Sequence, residues 1–316
     1  MENKLKRFLK EEYIGRMVPA DNGNSMKIKP EWFDQKKFER VRNIFLNNFC
    51  SICMTHLCGL ILIFMYTPTI EPFLYTGKSS TIPALLHRYI ITCKHVISWY
   101  VGDIWNPKNS AHKSLITVRH MHKEVAKALD SPSYDKPKLK DALFFSQSGM
   151  AATQFAFVGW MIAYPEKIGL YCSKEELECL IHLWRCVGYL LGIDDRFNIC
   201  DGNYEESFQL YRKIIHEDIK LRLLKPNEEG MAMSKDIVTA LGTEIPLMSW
   251  LGLRRYWFEI LELPIDFSLG LYDIICYWFY NLLFGVLLKN WFLRKIVNKI
   301  NLIVFERAVK KLTKNE

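Results

Sequence analysis

A histidine turned toward an apolar helical face is the first residue in this chain that could do chemistry. Within Leu115 to Leu129, a period of 3.6 places Leu115, Val118, His122, Val125 and Leu129 together, while His120 points away. An inward imidazole must find a hydrogen-bond partner or a metal, because leaving it unpaired away from water is costly. Arg119 lies one turn before His122. An imidazole nitrogen on such a face could bind haem iron axially, and the guanidinium could grip a propionate in a fork. These residues alone leave the matter open, since interior histidines commonly bond a carbonyl or carboxylate instead.

Other constellations carry less. Glu178, His182 and Cys186 share a helical face at i, i+4 and i+8, a pattern that more often makes an ion pair beside a core thiol than a metal site. Cys50-x-x-Cys53 followed by Cys58 has partial zinc spacing, but no second Cys or His pair follows it, and the surrounding Phe, Ile and Leu suit a buried helix. The eight histidines form none of the repeated boxes of a membrane di-iron desaturase. HExxH, Walker A, GxGxxG and GxSxG motifs are all missing, which removes support for the zincin, nucleotide-binding and common hydrolase classes.

The elements that must position these residues are helices. Of 316 residues, half are hydrophobic and 14% aromatic, with only 16 glycines and 12 prolines, a composition suited to a large buried core and poorly suited to a turn-rich β fold. Nine cysteines in a chain of this size read mostly as buried free thiols rather than a disulfide framework. The net charge of +8 is spread along the chain and no nucleic-acid motif accompanies it, so nucleic acid is not expected as a partner and a membrane surface fits better.

Periodicity and breakers predict an all-α fold with helices over about 81–101, 111–129, 140–163, 173–191, 204–224 and 234–251. Ser173-Lys174-Glu175-Glu176 is a capping box, and Gly192 is placed to stop the helix that it opens. Pro30 to Asp34 marks the start of a first helix. The apolar run Phe45 to Tyr66 could span a bilayer by length, but Asn47, Asn48, Thr55 and His56 interrupt it, and a buried core helix is the better reading. Residues 1–30 form a polar N-terminal arm, 31–262 a single multi-helix domain, and 263–316 a hydrophobic membrane-associated helix with a basic amphipathic tail.

In that last segment Phe267 to Leu288 carries one charge, Asp273, and is long enough to cross the hydrocarbon core of a membrane or to dock on the domain. From Lys289 to Glu316, eight Lys or Arg face two Glu, interleaved with aromatic and aliphatic residues that suit an anionic cytosolic surface.

Four short motifs, in their order and spacing, resemble the latex-clearing-protein or rubber-oxygenase catalytic domain, a group that includes ER-bound oxygenases of the MpaB type. They are Leu85 to Thr92, Val118 to Val125, Ser146 to Thr153 and Leu183 to Gly192, within about residues 40 to 225. The resemblance implies an all-α domain with a globin-like core holding one haem b. It implies that His122 is the proximal iron ligand and the metal site, that Arg119 accompanies it toward the cofactor, and that Gln147 lies near the same pocket. Arg88 and Thr92 match the distal Arg-x-x-x-Thr pattern, and Glu71 is the nearest candidate for the family's catalytic base. Helical spacing also places Met150, Gln154 and Phe157 beside Gln147, with core packing the stronger reading for those three.

The implied activity is dioxygen-dependent cleavage of carbon–carbon double bonds in an isoprenoid or unsaturated lipid, at an endoplasmic-reticulum membrane with the basic tail on the cytosolic side. Two departures matter. Ile91 stands where rubber-cleaving members can carry a lysine, and Glu71 beside Pro72 could equally be a helix N-terminal charge. They favour the alternative, a membrane-associated helical protein that binds haem or lipid without catalysis; Arg88, Thr92, Arg119 and His122 together favour the enzyme.

Overall fold

The computed structural model describes residues 10–65, 67–77, 79, 81–132, 134 and 141–313. It is all-α. Among the described residues no strand forms, and a single antiparallel bridge joins Pro19 to Ser146.

Helices α1 (Gln35–Asn47) and α2 (Phe49–Phe64) divide what reads as one apolar run, meeting at 94°. Asn48 ends the first by donating its side-chain amide to Ile44 O at 3.0 Å. The backbone groups left over at this bend are satisfied from the far end of the chain. Asn298 accepts from Cys50 N at 3.0 Å and donates to Asn47 O at 2.6 Å. Helix α2 is buried along most of its length, as a core helix should be.

A short helix α3 (Thr67–Tyr75) leads to α4 (Ile82–Val101), capped by Thr81, and then to α5 (Ser110–Leu129), capped by Asn109. Pro72 lies inside α3, so Glu71 is mid-helix rather than at a helix start. The next helix, α6 (Gln147–Ala163), begins at its Ser146 cap, later than the apolar pattern suggests. It packs along α2 at close range: a Cβ on Gly59 would sit 1.7 Å from the Ala156 carbonyl oxygen, so only glycine fits there.

Helix α7 (Lys174–Leu190) opens with the Ser173 and Glu176 capping box and stops at Gly192, whose φ of +97° favours glycine. Helix α8 (Tyr204–Ile214) continues through a π turn at Ile215–Ile219 into α9 (Lys220–Leu224). The segment 234–251, expected as one helix, is two: α10 (Glu228–Gly242) and α11 (Trp250–Ile260). The intervening turn holds Leu247 at a positive φ, and Ser249 caps α11. Helix α12 (Leu271–Leu282), extended by a π turn at Leu283–Leu287, lies against α11, and α13 (Trp291–Thr313) returns to the bend between α1 and α2.

The described part of the N-terminal arm is stitched to this bundle. Gln147 N donates to Val18 O at 2.9 Å, Leu143 N to Arg16 O at 2.8 Å, and Asn22 N to Gly192 O at 2.9 Å. All nine cysteines are free.

Candidate functional site

Helix α5 buries Ala111, His112, Leu115, Val118, Arg119 and Leu129, and the inward face predicted from its period is the one it packs. Two histidines lie on that side, with different fates. His112 Nδ1 meets the Ile104 carbonyl at 2.7 Å. His122 Nδ1 is buried without a hydrogen-bond partner among the described residues, and its ring lies 5.2 Å from that of Phe145. Burial pushes its pKa down to about 4, against a smaller pull from the Asp21 carboxylate, so the imidazole is neutral at neutral pH.

Other imidazoles are engaged: His56 with the Tyr100 hydroxyl at 3.2 Å, His182 with Asp34 N at 3.1 Å, His95 with Ser114 at 2.7 Å, and the exposed His216 with Tyr164 at 3.1 Å. His120 is exposed.

Arg119 is 5% exposed, and its fork is filled from within the chain. Nε donates to Asp21 Oδ2 at 2.7 Å, Nη2 to Oδ1 at 2.5 Å, and Nη1 to the carbonyls of Asn24 at 3.0 Å and Leu190 at 3.3 Å. Lys123 adds a third contact to Asp21 at 3.0 Å. Burial alone would raise the Asp21 pKa, but hydrogen bonds from Arg119, Gly23 and Lys123 outweigh it and hold the carboxyl at about 2. In this conformation the geometry expected for a propionate is satisfied by an aspartate. Asp21 escapes notice in the sequence because it lies in a polar arm nearly a hundred residues away; its one local signal is the turn-like Asp21-Asn22-Gly23-Asn24.

Gln147 is fully buried and used at both ends of its amide. Nε2 faces the carbonyls of Pro19, Ala20 and Gly192 at 2.9 to 3.1 Å, and Oε1 accepts from Asp194 N at 3.0 Å. It therefore fastens the arm to the turn after α7. Gln154 does similar work between Trp184 O and Asn198, and Phe157 stacks on Trp184 at 4.5 Å.

Arg88 reaches from α4 to the end of α3. Its Nη1 contacts Phe73 O at 3.3 Å, Thr76 Oγ1 at 2.9 Å and Ser79 Oγ at 3.1 Å, and the guanidinium lies 4.3 Å from the Phe73 ring. Burial lowers its pKa to about 10, which leaves it charged, and no carboxylate pairs with it among the described residues. Thr92 is exposed and spends its hydroxyl on Arg88 O at 2.9 Å. Four residues apart, the two share one side of α4, but Arg88 extends to α3 whereas Thr92 stays exposed on its own helix. Glu71 is buried and accepts from the Tyr134 hydroxyl. Because Tyr134 follows the end of α5 and α3 packs against α5, Glu71 and the Arg88 guanidinium share the neighbourhood of the histidine's helix.

A further set was not expected from sequence. Cys53, Tyr89 and Cys93 keep partial accessibility, yet desolvation drives all three titrations upward, the Cys93 thiol to about 12. His122 on α5 likewise combines partial accessibility with a titration shifted by desolvation.

The chain shares its fold with the latex clearing protein. Superposed on the closed state of that protein, LCP, it gives a TM-score of 0.64 over 98% of this chain and 86% of the other, at 13% identity. No sequence family and no curated protein matches the chain. At this identity the likeness to latex clearing protein is one of fold.

Glu178 bonds Lys37 Nζ at 2.9 Å and Tyr204 N, while Cys186 contacts His182 Nε2 at 3.7 Å, so that triple is an ion pair beside a core thiol.

Proposed function

We propose that this chain is a haem-dependent oxygenase that holds one haem b through His122 and cleaves a carbon–carbon double bond of an isoprenoid or other unsaturated lipid. The observation that carries the reading is the state of His122: a neutral, strongly desolvated imidazole with an unpartnered ring nitrogen, on the fold of latex clearing protein. A histidine that would hold haem iron has to be unprotonated and uncommitted to another acceptor.

When bound, haem supplies the activation of dioxygen, a chemistry that belongs to the cofactor. The chain's part is to fix, dry and shape the pocket. The Asp21 clamp on Arg119 and Lys123 sets the azimuth of α5 and so the aim of His122. Arg88, a half-buried cation on the neighbouring element, would orient an anionic or developing negative group. Glu71, held by Tyr134, would be the carboxylate that takes a proton. The desolvated surroundings of Cys53, Tyr89 and Cys93 would suit a neighbour without charge.

One set of observations favours the non-catalytic reading: Thr92 points outward, Ile91 offers no ligand, and the Arg119 fork is already occupied. An absorption spectrum of the purified chain decides the first step. A Soret band that disappears in His122→Ala and survives in His112→Ala supports the ligand assignment; no band in the wild-type chain after haem reconstitution overturns it. Incubation with unsaturated isoprenoids under labelled oxygen decides the second, with labelled carbonyl products expected for the enzyme and none for the binding protein.

A further inference from the structure

Exposed apolar side chains in this fold are concentrated at one end of the chain. Twelve of the 23 large apolar residues exposed among the described residues fall between Leu271 and Ile303. On α12 and its π turn, Leu271, Ile275, Trp278, Leu282 and Val286 follow one another at spacings of four, three, four and four, which is a single helical stripe. Leu271 is 77% exposed and Trp278 64%. The opposite stripe, Cys276, Tyr280, Leu283 and Phe284, is buried toward α11.

A helix on an aqueous surface turns charged and polar residues outward. Here the polar groups lie on the flanks and are engaged there. Asp273 accepts from Gly270 N at 2.9 Å and from the Ser249 hydroxyl, Tyr277 donates to Glu259, and Asn281 bonds back to Tyr277 O at 2.9 Å. The outward stripe of α12 has no polar side chain.

After a three-residue turn α13 begins with Trp291 and Phe292, more than 60% exposed, and then presents cations. Lys289, Lys295, Lys299 and Arg307 are exposed and form no ion pair among the described residues, and the Lys295 ammonium lies 3.9 Å from the Trp291 ring. The helix is seated firmly by the Asn298 contacts to Cys50 N and Asn47 O.

Charge complementarity selects the occupant of this surface. Eight basic against two acidic residues from Lys289 onward call for a dense negative partner, which a second copy of a chain with net charge +8 does not provide. A transbilayer course is unsuitable too: α12 with its π turn runs over Leu271–Leu287, no single described helix is long and apolar enough to cross, and one side of α12 is committed to α11. We propose that α12 and α13 lie in the plane of an anionic lipid bilayer surface, with the Leu271-to-Val286 stripe and Trp291 among the acyl-chain ends and Lys289, Lys295, Lys299 and Arg307 on lipid phosphates. This inference is independent of the haem reading and specifies an interfacial rather than a spanning attachment.

Co-sedimentation of the full chain with phosphatidylcholine vesicles, with and without phosphatidylserine, tests it. Binding is expected to be more than about tenfold tighter with phosphatidylserine, since each basic residue near an anionic surface contributes on the order of 1 kcal/mol, and to weaken with salt. Ile275→Glu with Trp278→Glu abolishes binding to both vesicles, whereas Lys295→Glu with Lys299→Glu removes the preference for phosphatidylserine; circular dichroism checks that both variants are folded. Tryptophan quenching in the wild-type chain by brominated lipids supplies a readout that needs no variant. Absence of sedimentation and quenching overturns the proposal, as does a lipid-free dimer that Trp278→Glu dissociates when vesicles are not bound.

Discussion

Arg119 and Asp21 form a doubly hydrogen-bonded ion pair that ties the N-terminal arm to α5 one turn before His122. Removing the carboxylate leaves a guanidinium that is 5% exposed without its charge partner. Asp21→Ala is expected to cost about 3–5 kcal/mol, the usual penalty for orphaning one member of a buried pair. Urea unfolding midpoints of Asp21→Ala, Arg119→Ala and the double variant measure this; additive effects would refute direct coupling.

On the proposed haem reading, the same pair bears on cofactor binding. If its role is to aim α5, Asp21→Asn lowers haem affinity while leaving the axial ligation spectrum of the bound fraction unchanged. A changed ligand-field spectrum would mean that the pair acts on the iron ligand itself.

Acid should destabilise the fold in two stages. Burial lowers the pKa of His56 to about 3 and those of His122 and His182 to about 4, from ordinary values near 6.5. The unfolded chain therefore binds protons below about pH 6.5 that the folded chain refuses, so the stability present above that pH is lost as pH falls toward 4 and 3. Each unit of depression corresponds to about 1.4 kcal/mol. Asp21, held at about 2, adds a second loss as pH drops from its ordinary 3.8 toward 2. Denaturant midpoints across this range should decline with acid, and a flat profile between pH of about 6.5 and 4 would contradict the burial of these imidazoles.

Asn298→Ala is expected to destabilise by about 1–3 kcal/mol, because it strands the Cys50 N–H and the Asn47 carbonyl at the bend between α1 and α2. Thermal unfolding of Asn298→Ala beside Asn301→Ala makes the comparison. Asn301 bonds only Val297 O of its own helix, so its removal should shift the midpoint far less.

Gly59→Ala presses a methyl onto the Ala156 carbonyl and should separate α2 from α6, with a loss above about 1–3 kcal/mol, the usual range for overpacking. An unchanged melting temperature would show that the two helices do not approach as described.

The sequence by itself determined where α1, α4, α5, α7 and α8 begin and which side of α5 faces inward. Those signals are local: Thr81, Asn109, Ser173 and Gly192 act on backbone groups within one turn, and a 3.6-residue period needs only near neighbours. It could not divide the run from Phe45 to Tyr66, because the bend at Asn48 is satisfied by Asn298, nor could it foresee that Leu247 breaks the segment 234–251.

Only the tertiary structure decided what each polar side chain does. Arg119 and Gln147 read as cofactor contacts, yet both are consumed by the arm; Arg88 and Thr92 have the right spacing, yet one turns toward α3 and the other toward solvent. His112 and His122 both lie on the inward side of α5, yet His112 bonds the Ile104 carbonyl whereas His122 Nδ1 has no partner among the described residues. Periodicity fixes the direction of a side chain, but its partner is chosen by whatever distant backbone folds against it, and that choice settles whether a nitrogen is spent on structure or left for a ligand.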